Sequence, residues 1–243
     1  MYKESDIFFK VVGGNEGVTM KSVCIVIPIY KTAPSGNELC SISRCMEIFN
    51  GRDVAYIAPM GLDIAAYPQA RVVRFNRLYF SSVESYSELC RSKELYSAFS
   101  EYEYILIYQP DCWVFEDRLD EFTALGYDYI GAPWFGVRDV STSRPLEDGL
   151  VGNGGLSLRK TETFLRLVGQ PCHPSIPEDV YWCKHRASEL NIAPTDVACR
   201  FSLEHHPERG FSMTGELPMG CHKPWQLKYY KLWHSMGVPK YKD

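Results

Sequence analysis

Along the first half of the chain, runs of consecutive apolar residues alternate with segments whose apolar positions recur at helical spacing. The stretch "SVCIVIPIY" (22–30) is rich in β-branched residues and apolar on neighbouring positions, the pattern of a parallel strand covered on both faces. "GNELCSISRCMEIFNG" (36–51) reads as a helix stopped by Asn50-Gly51, and "DVAYIAP" (53–59) and "ARVVRFN" (70–76) read as short strands. The spacing over 81–103 predicts one helix with Ser caps and an apolar face of Val83, Tyr86, Leu89, Cys90 and Tyr96. Lys93 falls on that face, where it either snorkels past the core or reaches a phosphate at the sheet edge. A strand at 104–108, a helix over 116–125 and a strand within "YDYIGAPW" (127–134) complete the alternation. The pattern predicts one α/β domain over 1–243, built on a mostly parallel, right-handed, doubly wound sheet.

In such sheets ligands sit beyond the carboxyl ends of the strands. The run "YILIYQPDCWVF" (104–115) places a single carboxylate, Asp111, at that end. The second half is less regular. "DGLVGNGGLSLRK" (148–160) gathers Gly152, Gly154 and Gly155 without the GxGxxG spacing of a dinucleotide site, so its glycines are expected to let a ligand approach the backbone. "PSIPEDVYW" (174–182) predicts a helix beginning at Pro177 with Glu178 and Asp179 in its first turn. Two acids there fit dipole capping, and fit equally a carboxylate presented to a sugar-sized pocket.

Composition narrows the class. With 45% hydrophobic and 23% charged residues, the chain is neither disordered nor fibrous. The longest apolar run, Val23 to Tyr30, is too short to cross a bilayer, and the opening "MYKESDIFFK" lacks the layout of a signal peptide. These features predict a cytoplasmic protein. Nine cysteines without a CxxC pair read as reduced core residues. A net charge of -4 gives no reason to bind nucleic acid. The tail (226–243) concentrates lysines and aromatics, which suits either an anionic membrane surface or a segment packed on the domain with its lysines in water.

Taken in order, "IVIPIYK", "YILIYQPDCWVF", "GYDYIGAPW", "VGNGGLSLRK", "PEDVYW" and "GCHKPW" resemble the DUF5672 family, which the resemblance reads as glycosyltransferases, over roughly residues 22–225. More distantly, these regions are similar to the β1,3-galactosyltransferase and Fringe-like enzymes. The resemblance implies a GT-A-like, Rossmann-like α/β/α domain and transfer from a nucleotide sugar, with a UDP-sugar favoured. "QPD" then stands where those enzymes carry an acidic triplet, Gln109 in its first position and Asp111 in its last. Asp111 and His222 are the implied ligands of Mn²⁺ or Mg²⁺, His205 and His206 being competitors for the second place. Without a metal, Lys93, Arg159 or Lys223 would neutralise the diphosphate. Asp179 matches the acid after Glu in an "EDV" motif and is the implied base of an inverting transfer, with Glu178 orienting it or binding a donor hydroxyl. Asn153, Gly154 and Gly155 would bind sugar hydroxyls, Trp134 and Trp182 would carry a sugar ring, and Tyr30 would meet the nucleobase, the last by topology alone.

Three functions follow as expectations. The first is an inverting, metal-assisted glycosyltransferase acting on a hydroxyl of a glycan or glycoconjugate, in surface polysaccharide biosynthesis, in the cytoplasm or at the inner face of the membrane. The second is a nucleotide-sugar or carbohydrate binder that keeps the fold without catalysis, to which the reduced acidic triplet points. The third, a metal-dependent hydrolase, lacks HExxH or clustered DxH spacing.

Overall fold

The apolar runs become the strands of a six-stranded sheet. In the computed structural model, which describes residues 20–241, the strands are β1 (Lys21–Pro28), β2 (Asp53–Pro59), β3 (Arg71–Phe75), β4 (Tyr102–Tyr108), β5 (Cys112–Val114), β6 (Tyr129–Gly131), β7 (Pro133–Trp134), β8 (Leu150–Val151), β9 (Leu156–Lys160), β10 (Ser202–Leu203) and β11 (Gly220–His222). The decapeptide "MYKESDIFFK" lies outside the described residues. The main sheet has the order β3-β2-β1-β4-β9-β6. β1 to β4 run parallel, and β9 runs against both β4 and β6. The chain therefore forms a mixed α/β domain on a mostly parallel sheet, as the alternation predicts.

Both faces of the sheet are covered, which explains the unbroken apolar runs. On β1, Cys24 and Val26 enter one core while Val23, Ile25 and Ile27 enter the other. On β4, Ile105 and Ile107 face the first, and Tyr104, Leu106 and Tyr108 the second. The helix Gly36–Ile48 begins with a capping box, Ser35 Oγ accepting from Glu38 N and Glu38 Oε2 accepting from Ser35 N at 2.7 Å.

The strand order also locates the site. From β1 the chain builds outward through β2 to β3, then returns to place β4 on the other side of β1. The carboxyl ends of β1 and β4 flank this switch point, where an open α/β sheet leaves a crevice. Because β9 is antiparallel, its beginning lies at the same edge, and Gln109 N donates to Gly155 O at 2.9 Å. A smaller sheet, β10-β11-β5, delivers the last component by pairing His222 with Cys112.

Two sequence expectations change here. The helix expected over 81–103 is two, Val83–Leu89 and Lys93–Ser97, with Ser92 capping the second by accepting from Leu95 N. The break resets the helical phase, so Lys93 becomes the exposed first residue of a new helix, and Val83 is 74% exposed. Pro177 caps a single helical turn, Glu178–Val180, which passes into a wider turn at Tyr181–His185. So short a helix has little dipole to stabilise paired acids.

The tail joins the body through Trp233, fully buried and stacked on Phe115 with ring centroids 6.0 Å apart. Its lysines Lys228, Lys231 and Lys240 are exposed. Gly152 shows how closely the elements approach: a Cβ there would lie 2.0 Å from the Trp134 ring. Gly152→Ala should therefore destabilise the fold by about 1–3 kcal/mol through overpacking. Gly126→Ala, where a Cβ meets nothing within 4 Å, bears only the cost of its positive φ. Urea unfolding of the two variants checks the difference.

Candidate active site

A cleft of about 690 Å³ opens at the switch point. Tyr30 and Lys31 line it from the end of β1, Gln109 to Asp111 from the end of β4, Asn153 to Gly155 from the approach to β9, Glu178 and Asp179 from the short helical turn, and His222 and Lys223 from the end of β11. Residues 111, 179 and 222, far apart in the chain, thus border one cavity.

His222 is the hub of one wall. Its Nε2 lies 3.2 Å from Asp111 Oδ1 and 3.1 Å from Gln109 Oε1; its Nδ1 lies 3.3 Å from Glu204 Oε2 and 3.1 Å from Asn153 Oδ1. Behind the ring, Asn153 Nδ2 donates to Glu204 Oε2, and Lys223 Nζ stands 3.5 Å from Glu204 Oε1. Burial works against a charged imidazole, yet the Asp111 and Glu204 carboxylates push its pKa up to about 9. Burial likewise opposes the ionised Glu204, but His222 and then Lys223 hold it down to about 2. Asp111 is held below the usual carboxylate range by His222 and Lys223 against the cost of its own desolvation.

Asp179 borders the cleft from the short helical turn. Its Oδ2 accepts from Gly154 N at 3.1 Å and its Oδ1 from Val180 N at 2.8 Å. Beside it, Glu178 is buried and its Oε1 accepts from Arg159 Nη2 at 2.7 Å. Burial raises the Glu178 pKa, with Arg159 opposing.

The glycines of the "GNGG" stretch leave room for protein side chains. A Cβ on Gly154 would fall 2.0 Å from Glu178 Oε1, and one on Gly155 would fall 2.2 Å from the His222 ring. Both glycines line the cleft, so their backbone stays at the cavity while Glu178 and His222 exclude a side chain. Asn153 sits at φ 46° and spends both ends of its amide on Glu204, His222 and Gly155 N.

Six sequence candidates lie outside the cleft lining. Trp182 is fully buried against Phe164 and Tyr181, its Nε1 donating to Cys90 O at 3.4 Å. Trp134 is buried over Gly152. Both are core residues with no face to offer a sugar. Lys93 is outside the lining because of the helix break. Of the competing histidines, His205 pairs with Glu204 from outside the lining and His206 with Glu208 at the surface. Arg159, a candidate for the diphosphate, is wholly buried and committed to Glu178. Sequence reading missed Glu204 and Lys31. Lys31 extends from the end of β1 to Glu38 at 2.7 Å and passes 5.5 Å from the Tyr30 ring centroid. Its signal was its place directly after the first strand; Glu204, one acid among the polar residues of "LEHHPE", had none.

Asp111, Cys112 and His222 each offer a donor atom, all within 4.8 Å of one another. The Cys112 thiol is buried, pushed well up by desolvation, and 3.2 Å from Gly155 O. The donors facing the cleft are therefore the oxygens Asp111 Oδ1 and Gln109 Oε1 and the softer imidazole Nε2 of His222. The oxygens suit Mn²⁺ or Mg²⁺, which takes few protein ligands and fills the rest of its shell with water and phosphate oxygens, and the imidazole tilts the choice towards Mn²⁺. Glu204 behind Nδ1 gives the arrangement in which a carboxylate orients a ligating imidazole.

The fold is one that solved glycosyltransferases share. The galactosyltransferase LgtC, solved with donor and acceptor sugar analogues, superposes with a TM-score of 0.52 at 13% identity, covering 89% of this chain and 98% of that one. Mouse xyloside xylosyltransferase 1 gives 0.52 at 11% identity, covering 83% and 97%. The bifunctional glycosyltransferase WbbM gives 0.52 at 11%, covering 86% of this chain and 48% of that one. No curated protein matches the sequence. Residues 69–222, well over half of the chain, match the family described as Protein of unknown function (DUF5672), and the chain belongs to that family.

The hub predicts a pH profile for the metal-free protein. His222, raised from 6.5 to about 9, contributes stability that is complete below pH 6.5 and lost as pH rises through 9. Glu204, lowered from 4.5 to about 2, contributes stability present above pH 4.5 and lost as pH falls towards 2. The melting temperature should decline from pH 7 to 9.5, and His222→Gln should flatten that decline; an equal decline in the variant removes His222 as its cause.

Proposed function

We propose that this protein is a nucleotide-sugar-dependent glycosyltransferase that transfers a sugar, with inversion and with the help of a divalent cation, to a hydroxyl of a glycan or glycoconjugate. The observation that carries the reading is the meeting of Asp111, His222 and Asp179 around one cleft at the switch point of a GT-A fold. Breaking the bond between an anomeric carbon and a nucleoside diphosphate leaves negative charge on the departing phosphate. A cation held by Asp111 and His222, with Gln109 beside them, would supply its neutralisation.

The chain's own residues account for the rest. Lys31 and Lys223 place positive charge at the cleft, where they draw the diphosphate in. Tyr30, 56% exposed on the lining, offers its ring to a nucleobase, UDP being the favoured nucleotide. Asp179 keeps its carboxylate at the cleft through two backbone N–H bonds and retains lone pairs for the proton of an attacking hydroxyl. Glu178 and Gly154 fix its position, while Asn153 and Gly155 shape the wall around His222.

From the proposed use of a nucleotide sugar we infer a role in surface polysaccharide assembly, in the cytoplasm or at the inner face of the membrane. Its exposed tail lysines suit contact with an anionic leaflet. Among the described residues no helix is long and apolar enough to cross a membrane.

Incubation with a panel of UDP- and GDP-sugars plus Mn²⁺ should release nucleoside diphosphate faster when acceptor is added. Asp179→Asn should lower that rate by about 10²-fold or more, as expected for loss of a general base. Unchanged turnover in this variant removes Asp179 from the reaction. The single carboxylate at 109–111 also favours a second reading, a binder without catalysis. Tight UDP-sugar binding by calorimetry, without turnover on any acceptor, would establish that reading instead.

A further inference from the structure

Arg159 is an unusual residue to find in the middle of a β-strand core. It is 0% exposed, and its guanidinium packs 5.4 Å from the centroid of Tyr129 and 5.8 Å from that of Phe164. A buried cation is costly to desolvate, and such a pair is often no more stabilising than apolar residues of the same volume. Its connections point to a different use. Nη2 donates to Glu178 Oε1 at 2.7 Å, Nη1 to the Tyr96 hydroxyl at 3.2 Å, and Nε to Ser157 Oγ at 3.0 Å. Ser157 in turn donates its hydroxyl to Gly154 O at 3.1 Å.

These bonds close a ring. From Arg159 one arm runs through Glu178 to its chain neighbour Asp179. The other runs through Ser157 to Gly154, whose N–H donates to Asp179 Oδ2 at 3.1 Å. Asp179 is where the arms meet. The second oxygen of Glu178 has no hydrogen-bond partner among the described residues, so Arg159 alone orients that carboxylate. Gly154 has no room for a side chain, since a Cβ would stand 2.0 Å from Glu178 Oε1 and 3.1 Å from Arg159 Nη2. We infer that Arg159 is a positioning residue: through Glu178 on one side and Ser157–Gly154 on the other, it fixes the angle at which Asp179 faces the cleft. The inference rests on Asp179 being the base, and extends that reading to residues that touch no substrate.

Two variants test it without leaving a charge alone in the core. Ser157→Ala cuts one arm and keeps the ion pair. Arg159→Gln combined with Glu178→Gln replaces the pair by two amides of similar size. Each folded variant should lose about 10- to 100-fold in kcat, the scale expected when a reacting group is displaced by about 1 Å, while the donor KM changes less than about twofold. Added to Asp179→Asn, each should have no further effect on the residual rate, because the group it positions is gone. Exchange of the Gly154 amide should quicken in both variants, while that of Val26, in the sheet centre, stays slow.

Full kcat with unchanged Gly154 protection in both variants overturns the inference while leaving the base assignment standing. So does a loss that simply adds to that of Asp179→Asn. If Asp179→Asn itself keeps full kcat, the base assignment and the positioning role fall together.

Discussion

A histidine with almost no exposed surface, held between two carboxylates, is the constraint on which the rest of the site depends. His222 occupies its place because β11 pairs with β5, and that pairing sets its ring across Asp111 at the end of β4. The ring needs Gly155 to have no side chain, needs Glu204 and Asn153 behind it, and needs the Gln109 amide beside it. Remove the imidazole, and two carboxylates and two amides lose their common partner. In the metal-free protein its positive charge offsets Asp111 and Glu204; with a cation present, the same Nε2 would face that cation, and Glu204 would keep the ring oriented. One arrangement is thus an ion cluster in the metal-free protein and, in the proposed function, would be the donor set for the cation.

The two walls of the cleft are built by different physics. The His222 wall is electrostatic, with charges of both signs buried together and their pKa values moved apart by one another. The Asp179 wall is a matter of backbone geometry, in which a carboxylate accepts from two N–H groups supplied by separate segments. The stretch 153–155 belongs to both, since Asn153 and Gly155 abut His222 while Gly154 abuts Glu178 and Asp179. At 154 and 155 Glu178 and His222 leave no room for a side chain.

Much of this was legible in the sequence wherever the cause is local. β1, β2 and β4 declared themselves because a parallel strand covered on both faces must be apolar at consecutive positions, and Asp111 stood out as the first charge after such a run. The family resemblance then led to Asp179 and His222. What stayed hidden depends on partners distant in the chain. Glu204 meets His222 only through the β10-β11-β5 sheet, and Arg159 is buried only because Glu178 arrives from another segment. Trp134 and Trp182 read as sugar platforms in the sequence because composition does not tell a buried indole from an exposed one. Lys93 was misplaced by a single break at Cys90–Ser92, which a helical-spacing argument steps over.

The proposed function requires that a nucleoside diphosphate and its cation occupy the crevice between the ends of β1 and β4. A crystal soaked with UDP and Mn²⁺ measures this directly. The account predicts an anomalous manganese peak within coordination distance of Asp111 Oδ1 and His222 Nε2, with the diphosphate bound to it and the uracil near Tyr30. A nucleotide bound elsewhere, or manganese held by other residues with this crevice filled only by solvent, would contradict it.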